Sequence, residues 1–460
     1  MIRRSARASF AMAIAIALAL ALAVIRAANA AEYINHEAPV PPTATEARGP
    51  LDAAFDAPEA ETRVLARRLQ ARLAKRGDFL ANATAKLELR SYYFNRRNPG
   101  NDEARATVTG GRLTFDSGDW NGLGIGLSYY NSTELSQTGS DTGLLASGGD
   151  NISVLGEANI RYRFNDGFLD GSEIKLYRQQ LNLPYLNKAD IRQLPAVHEA
   201  YTLSRIGARS FDYGVGYIRQ FKNFDSKDFI RIGEAAGAPG SDAGLSLAGA
   251  RVHFTDATSV GAVKLYAHDS FNTFFTEAVH ARQLTETVDL KLQGQFTDQR
   301  SVGRQDIGEF DTWHYAMKAS SSWRGGVVSL AYTDTGEGAA VRKPFGSSPS
   351  YNSIQRLDFD RAGERSLALG LSYNSAYASA LGLSGFATIA RGVDAVDPAT
   401  GMDLPDRSEY DLTIDFRPPR GPLQGLWLRT RYNFVDVDGE GACHDVRVIL
   451  NHEVPVLLGS

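Results

Sequence analysis

The chain has 460 residues, a formal net charge of −4, 44 glycines, 10% aromatic residues and one cysteine, Cys443. A single cysteine excludes an intramolecular disulfide. Loss of the arginines of a cleaved leader takes the net charge to about −8, which argues against nucleic-acid binding. A mean hydropathy of −0.26 together with many glycines suits a soluble all-β protein or an outer-membrane barrel.

The N-terminus has the parts of a secretory signal peptide. Basic residues precede an apolar run that ends at Ile25, and Ala28-Asn29-Ala30 forms a small-residue cleavage site. We therefore predict a signal peptide over 1–30, removed after Ala30, and an exported protein. A retained membrane anchor is the alternative. It is disfavoured because the apolar run is short for a bilayer span.

Residues 31–85 are predicted to form a periplasmic extension. Ala31 to Pro58 is rich in Pro, Ala and Glu, and Glu61 to Arg76 places leucines at helical spacing among many arginines. This pattern predicts a short helix. The helix is either simply solvated or touches anionic lipid or the barrel mouth.

From Lys86 onward the apolar residues recur at every second position, which is the period of a β-strand. EYDLTIDF, at 409–416, alternates between polar and apolar side chains throughout. The same alternation places Lys291 and Lys318 on polar faces, and it places Val154 on the apolar face of its strand. We count eighteen such strands over 86–460, each with one apolar and one polar face.

The connections between these strands mostly alternate between short and long. Ser375–Ala378 is a short connection, Ser132–Asp150 is a long one, and Asp269–Asn272 is short where the pattern requires a long one. Short periplasmic turns and long extracellular loops are typical of outer-membrane barrels. We therefore predict an all-β, transmembrane antiparallel barrel of eighteen strands, closed because lipid satisfies no backbone group. Its polar faces line an aqueous lumen that loops must narrow.

Several segments, in order along the chain, resemble the OprD family of outer-membrane porins. The similarity runs from about Lys86 to Leu458. The segments are LELRSYYFNR (87–96), LNLPYLNKADIRQLPAVHEAYTL (181–203), IGEAAG (232–237), Gly249-Ala250-Arg251, YAHDSFN (266–272), GPLQGLWLRTR (421–431) and HDVRVILNHEVP (444–455).

The resemblance implies a monomeric channel for small, usually carboxylate-bearing solutes such as amino acids, peptides and aromatic acids. It also implies a ladder of basic residues on one wall that faces an acidic pocket made with inward-folded loops. Arginine suits such a ladder because its fork grips a carboxylate and never deprotonates. Several weak, spaced grips release a solute better than one deep site.

The alternation supplies candidates for the basic ladder, and the resemblance carries the ladder chiefly onto Arg90, Arg429, Arg431 and Arg447. Each could instead be a solvated lumen residue without a role in selectivity. The full set of candidates is Arg90, Arg112, Arg161, Arg163, Lys175, Arg429, Arg431 and Arg447.

The segment that resembles the family's third loop supplies the constriction candidates, which are Tyr185, Asp190, Arg192 and His198. Asp190 is the best carboxylate for the acidic pocket, although a turn cap or a loop-to-wall salt bridge would explain it equally well. Asp269, with Asn272, is expected to help order the constriction. The acidic residues of EYDLTIDF stand beside the ladder, and we expect them to weaken a preference for anions.

Two rival functions remain open. A general-diffusion or sugar porin would use inward aromatic residues, for which Tyr92, Phe94 and Tyr130 are candidates. A barrel-embedded lipolytic enzyme would use His268 and Ser270, but serine catalysis also needs a third, orienting group.

The remaining expectations concern partners and location. We expect no catalytic activity, no cofactor and no metal site. The expected partners are small solutes, the lipid bilayer with lipopolysaccharide, and the barrel-assembly machinery. The expected location is the bacterial outer membrane.

Overall fold

The computed structural model describes residues 67–374, 382–419 and 423–457. In these ranges the chain forms eighteen long strands and three short α-helices: α1 (Arg67–Leu73), α2 (Asp78–Ala81) and α3 (Ile232–Ala235). The strands are β1 (Thr84–Arg97), β2 (Glu103–Asp116), β3 (Leu123–Gly139), β4 (Ile152–Arg163), β5 (Glu173–Gln179), β6 (Val197–Arg205), β7 (Phe211–Lys222), β8 (Leu245–Thr255), β9 (Thr258–Ala267), β10 (Phe271–Thr285), β11 (Val288–Ser301), β12 (Asp311–Trp323), β13 (Gly326–Thr335), β14 (Arg365–Asn374), β15 (Leu383–Val393), β16 (Arg407–Phe416), β17 (Leu426–Val437) and β18 (Gly441–Leu457).

The strands form one closed antiparallel barrel. Each strand pairs with its neighbours in the sequence, and β18 returns to pair with β1 from Ala85↔Leu457 to Arg97↔His444. Two-residue strands at 182–183 and 186–187 pair with each other, and 230–231 adds a short pairing to β7. Closure gives every barrel strand two partners, which a sheet facing lipid requires. The predicted eighteen-stranded barrel is confirmed.

The exposure of side chains along β16 shows which face meets lipid. Tyr410, Leu412 and Ile414 are 43%, 46% and 46% exposed, whereas Glu409 and Asp415 are 0% and 3% exposed. A water-soluble protein has the reverse arrangement, with apolar residues inside. The exposed apolar side chains therefore form the lipid-facing surface, and the acidic side chains point into the lumen.

The two rims differ in the length of their connections, as predicted. One rim carries turns as short as 256–257, 286–287 and 324–325, and the other carries loops as long as 180–196 and 336–364. The predicted exception is also present, because β9 and β10 are joined on the long-loop rim by 268–270 alone. The predicted turn Ser375–Ala378 lies outside the described residues.

Two local predictions were wrong because sequence alternation does not report bulges or strand ends. β3 continues to Gly139, well into the segment predicted as a loop from Ser132. The pairing of β3 with β4 shifts between Ser128 and Tyr129, and this shift turns Val154 inward, where it packs against a buried lumenal cluster. The outward residue at this level is Leu155, which is 45% exposed.

The N-terminal helices lie beside the rim of short turns. The backbone N–H of Gly118 in the β2–β3 turn donates to the carbonyl of Phe79 in α2 at 2.9 Å. Helix α1 falls within the predicted helical segment Glu61 to Arg76. The predicted signal peptide and residues 31–66 of the predicted extension lie outside the described residues. No helix of the described ranges is long and apolar enough to cross a membrane.

Candidate functional site

The loop 180–196 crosses the lumen and is fixed to walls nearly opposite each other in the strand order. On one side the hydroxyl of Tyr185 is 2.9 Å from that of Thr297 on β11. On the other side Nη1 of Arg90 on β1 donates to Oδ1 of Asp190 at 2.7 Å. Because the loop is attached to both walls, it narrows the lumen, and a solute must pass through the space beside the loop.

Arg90 is the main anchor of this loop. Besides Asp190, its guanidinium donates to the backbone carbonyls of Arg192 at 2.8 Å and Gln193 at 3.2 Å. It also donates to Oδ1 of Asn451 on β18 at 2.8 Å. Burial alone would raise the pKa of Asp190, but the charge and hydrogen bond of Arg90 outweigh it and hold that pKa below its ordinary value. The structure therefore contains the loop-to-wall salt bridge considered for Asp190.

A second inward loop, 336–364, packs against the first. Nδ2 of Asn187 donates to the carbonyl of Ser347 at 3.0 Å, and Leu186 forms a backbone bridge with Phe345. His198 is fully buried, with Nε2 3.3 Å from the carbonyl of Phe345. His198 therefore supports the loops and does not line an open path.

The acidic residues of β16 hold this second loop. The backbone N–H of Leu357 donates to Oε2 of Glu409 at 2.7 Å, and that of Gln355 donates to Oδ2 of Asp411 at 2.9 Å. Asn433 on β17 donates to both carboxylates. Glu409 and Asp411 therefore bind the loop, and the expectation that the acids of this strand weaken a preference for anions stays a prediction.

A charged cluster lies within loop 336–364 itself. Nζ of Lys343 is 3.0 Å from Oδ2 of Asp358 and also contacts Asp360. Burial raises the pKa of Asp360 to about 6, with the neighbouring Asp358 adding to the rise against the opposing charge of Lys343. This loop therefore contains a group that changes charge just below neutral pH.

Most predicted ladder residues are paired with a carboxylate on the same strand or on a nearby strand or turn. Such charge-assisted pairs satisfy the guanidinium fork and reduce its attraction for a passing anion. The pairs are Arg112 with Glu88, Arg161 with Asp116 and Asp119, Arg163 with Asp119 and Glu173, Arg429 with Asp415, and Arg447 with Asp445. The most buried is Arg447, 1% exposed, whose fork meets both oxygens of Asp445 at 2.8 Å.

Three predicted cations form no ion pair within the described ranges: Arg431, Arg192 and Lys175. Arg431 makes one polar contact, to the hydroxyl of Thr413 at 3.3 Å, and lies directly across from Arg447 in the β17–β18 register. Arg192 on the first loop donates to the carbonyl of Thr142 at 3.1 Å. Burial, followed by the positive charge of Arg447, lowers the pKa of Arg192 to about 10.

The name arginine wall is used below for Arg90, Arg112, Arg429, Arg431 and Arg447, which lie on β1, β2, β17 and β18. These strands are consecutive around the closing seam of the barrel. Arg161, Arg163 and Lys175 lie near the rim of short turns on β4 and β5. The arginine wall therefore contains one member, Arg431, that has no carboxylate partner within the described residues.

Asp269 belongs to the outer rim. It occupies a turn with a φ of 58°, and its carboxylate pairs with Arg304 of the next loop at 3.4 Å. Its predicted neighbour Asn272 accepts a hydrogen bond from Nζ of Lys264 at 2.6 Å. These contacts order the rim between β9 and β12, and the expected role in the constriction stays a prediction.

The residues proposed for the rival functions are placed differently from what those functions need. Tyr92, Phe94 and Tyr130 point inward as predicted, but they are at most 1% exposed and so offer no open aromatic surface to a sugar. His268 forms its hydrogen bond with Ser246 at 2.9 Å, while Oγ of Ser270 is buried without a partner. The structure therefore does not bring His268 and Ser270 together as a catalytic pair.

Among the described residues no group of three or more His, Cys, Asp or Glu side chains could hold a metal ion. Sequence reasoning missed the carboxylates that neutralise the ladder, above all Asp445. It also passed over Lys291 and Lys318, although the alternation had placed both on polar faces. Their strands are distant from the closing seam, where the resemblance placed the ladder.

Comparison with known proteins supports the architecture. The family described as outer membrane porin, OprD family, matches residues 77–456. No curated protein matches the chain at a significant level. OccK9 (OpdG) of Pseudomonas aeruginosa is 24% identical, with a TM-score of 0.74 over 82% of this chain and 99% of that chain.

Two further solved structures are similar. OpdK of Pseudomonas aeruginosa, solved with vanillate, is 22% identical, with a TM-score of 0.73 over 82% of this chain and 100% of that chain. A BenF-like porin from Pseudomonas fluorescens Pf-5 is 18% identical, with a TM-score of 0.74 over 82% and 100% of the respective chains. The barrel and the family match together establish that this chain belongs to the OprD family of outer-membrane porins.

Proposed function

We propose that this porin admits small carboxylate-bearing solutes by passive diffusion, and that Arg431 is the principal grip on the carboxylate. The observation that carries the proposal is the guanidinium of Arg431, which forms no ion pair among the described residues on a wall whose other arginines do. Arg447 and Arg429 act on it with positive charge, and Asp411 acts with opposing charge. An anion that reaches this point therefore finds a guanidinium fork that no carboxylate already occupies.

The binding of a carboxylate by Arg431 is expected to be weak enough for the solute to pass through the channel. A guanidinium binds a carboxylate through two parallel hydrogen bonds, and it does so more strongly in a narrow, partly dry lumen than in bulk water. The paired neighbours prevent the wall from becoming a deep anion trap, because their charges are already compensated. A solute can therefore bind at Arg431 and leave again, as conduction requires.

The related structures are compatible with this substrate class. OpdK was solved with vanillate, an aromatic carboxylate. The lumen described here offers a carboxylate a free arginine and offers a sugar no exposed inward aromatic surface among Tyr92, Phe94 and Tyr130. A carboxylate is therefore a better candidate solute than a sugar.

Uptake into proteoliposomes tests the proposal. The variant Arg431→Gln should slow the entry of benzoate about fivefold, which corresponds to about 1 kcal/mol, while glucose entry stays the same. Arg429→Gln is the matched control, because that arginine is already paired with Asp415 at 2.8 Å and its loss should change benzoate entry less. Equal benzoate entry through the parent and Arg431→Gln channels would show that Arg431 is not the grip.

A further inference from the structure

Two lysines lie on the other side of the barrel from the arginine wall. Lys291 on β11 and Lys318 on β12 are named the lysine patch below. They are diagonal neighbours, since Lys291 pairs with Ser320 and Lys318 pairs with Gln293. Within the described ranges neither ammonium group lies within ion-pair distance of a carboxylate, and the positive charge of Lys291 acts on Lys318.

The cross-strand neighbours of the lysine patch are small or uncharged. On the outer sides of the patch, Lys291 faces Ala281 of β10 and Lys318 faces Ala331 of β13. On the arginine wall a carboxylate lies directly across from Arg429, which faces Asp415, and from Arg112, which faces Glu88. Cross-strand register therefore gives two of the wall arginines a carboxylate and gives the lysines none.

The carboxylate that acts on Lys291 already has hydrogen-bond partners of its own. Glu277 on β10 exerts its charge on Lys291. Its carboxylate accepts hydrogen bonds from Arg251 at 2.8 Å, Gln295 at 3.0 Å and the hydroxyl of Tyr351 at 3.0 Å. The positive charge of Arg251 opposes that of Glu277 at Lys291, and the ion pair with Arg251 occupies one oxygen of the carboxylate.

Loop 336–364 lies over the patch without sealing it. The ring of Tyr351 is 6.0 Å from Nζ of Lys318, and Tyr351 packs with Ala316 and Ala331 against the wall. Both lysines remain partly exposed. A partly exposed, unpaired ammonium beneath a constricting loop is accessible to a small solute in the lumen.

A strip of small residues runs from the lysine patch toward the arginine wall. Starting beside Lys291, the register runs from Ser320 on β12 through Ser329, Gly370 and Thr388 on the next three strands. These residues are small and only partly buried. The strip ends at Asp411 on β16, which holds loop 336–364 and lies on the strand next to the one that carries Arg431.

We propose that Lys291 and Lys318 form a second anion-binding step of the channel, which takes carboxylates and other small anions on the side of the strip away from Arg431. The inference deepens the proposed function and rests on it for the solute class. The two lysines attract an anion because they repel each other and lack a partner. A solute held at either edge of the strip can move to the other, so the path has two cationic sides.

The test is the double variant Lys291→Gln, Lys318→Gln, measured as the reversal potential of single channels in a KCl gradient. The anion-to-cation permeability ratio should fall about threefold, the scale of losing one weak charge interaction per permeating ion. Benzoate entry should fall by a similar factor. Lys264→Gln is the matched control, because that lysine shares the outer face with the 37% exposed Phe274 and should leave the ratio unchanged.

A second double variant, Lys291→Arg with Lys318→Arg, separates a loss of charge from a failure to fold. It keeps both charges and should keep the permeability ratio. The heat-modifiable gel shift of the barrel checks that each variant has folded. A double glutamine variant that folds and retains the parental ratio would overturn the lysine step. Arg431→Gln, recorded alongside, decides the proposed function separately, because the KCl ratio of the lysine variant does not depend on carboxylate uptake.

Discussion

The arginine wall and the lysine patch carry the same sign of charge but use it differently. On the arginine wall, Arg447 is buried against Asp445, and Arg90 is bound to Asp190 of an inward loop. In the lysine patch, the cross-strand partners of Lys291 are alanine and serine. Under the two proposals above, a charge inside the channel is available to a solute only where no carboxylate pairs with it, and the paired charges hold strands and loops together.

The largest effect should come from removing the acid at the centre of the arginine wall. Asp445→Asn leaves Arg447 and Arg96 without their shared carboxylate, which lies 2.8 and 2.9 Å away. Breaking a buried pair costs about 3–5 kcal/mol, so the midpoint of urea unfolding should fall clearly. Asp438→Asn is the control, since Asp438 is 58% exposed and its contact with Arg391 is long, at 3.7 Å. Equal midpoints for the two variants would contradict a structural role for the wall.

The next effect concerns the loop that the wall anchors. Arg90→Gln removes the bonds to Asp190 and to the carbonyls of Arg192 and Gln193, a loss of about 2 kcal/mol at one end of loop 180–196. Single channels should show a higher open current with more noise, because the loop detaches intermittently. The control is Arg163→Gln, which replaces an exposed arginine near the rim of short turns and should leave the current noise unchanged. Unaltered noise in the Arg90 variant would show that Tyr185 suffices to hold the loop.

A smaller change should remove one carboxylate from the arginine wall. Asp415→Asn takes from the guanidinium of Arg429 the carboxylate that meets it at 2.8 and 2.9 Å. The anion-to-cation permeability ratio should rise about twofold, a typical effect of losing one negative charge from the lumen. Asp334→Asn removes an acid that bonds Tyr315 and Tyr332 on the outer face and should not alter the ratio. A ratio that stays constant would argue that pairing does not control selectivity.

The smallest effect should be a dependence on pH in the loop that covers both regions. The pKa of Asp360 is about 6 in the folded loop, against an ordinary 3.8. The docked loop therefore binds a proton more tightly than a released loop does, and acidification through pH 6 favours docking. Channel noise should be about twofold lower at pH 5 than at pH 7, and Asp360→Asn should abolish the difference. A difference that persists in the variant would assign it to another group.

The alternation of residues predicted the inward side chains of the arginine wall, because facing follows the two-residue period wherever a strand has no bulge. Arg90, Arg429 and Arg431 all point as expected. The pairing of these charges was not predictable, since it depends on register, and register depends on turn lengths and bulges such as the one that turns Val154 inward. Without the register, Arg431 could not be distinguished from its paired neighbour Arg429.

The loops were less predictable than the wall. Asp190 was recognised as a loop carboxylate, but its partner Arg90 is 100 residues away in sequence, and Tyr185 contacts Thr297 across 112 residues. Periodicity contains no information at such separations. The use of Glu409 and Asp411 to bind backbone N–H groups was equally hidden, because any loop could have supplied those groups.

The double attachment of Arg90 has a consequence for how the protein matures. One guanidinium binds Asn451 on the last strand, 361 residues away, and Asp190 on the inward loop. The last strand is synthesised last, so Arg90 acquires its full set of partners only when the two ends of the sheet meet. The same side chain therefore completes both the closure of the barrel and the attachment of the constricting loop. A barrel whose first and last strands have not yet paired also lacks part of its constriction.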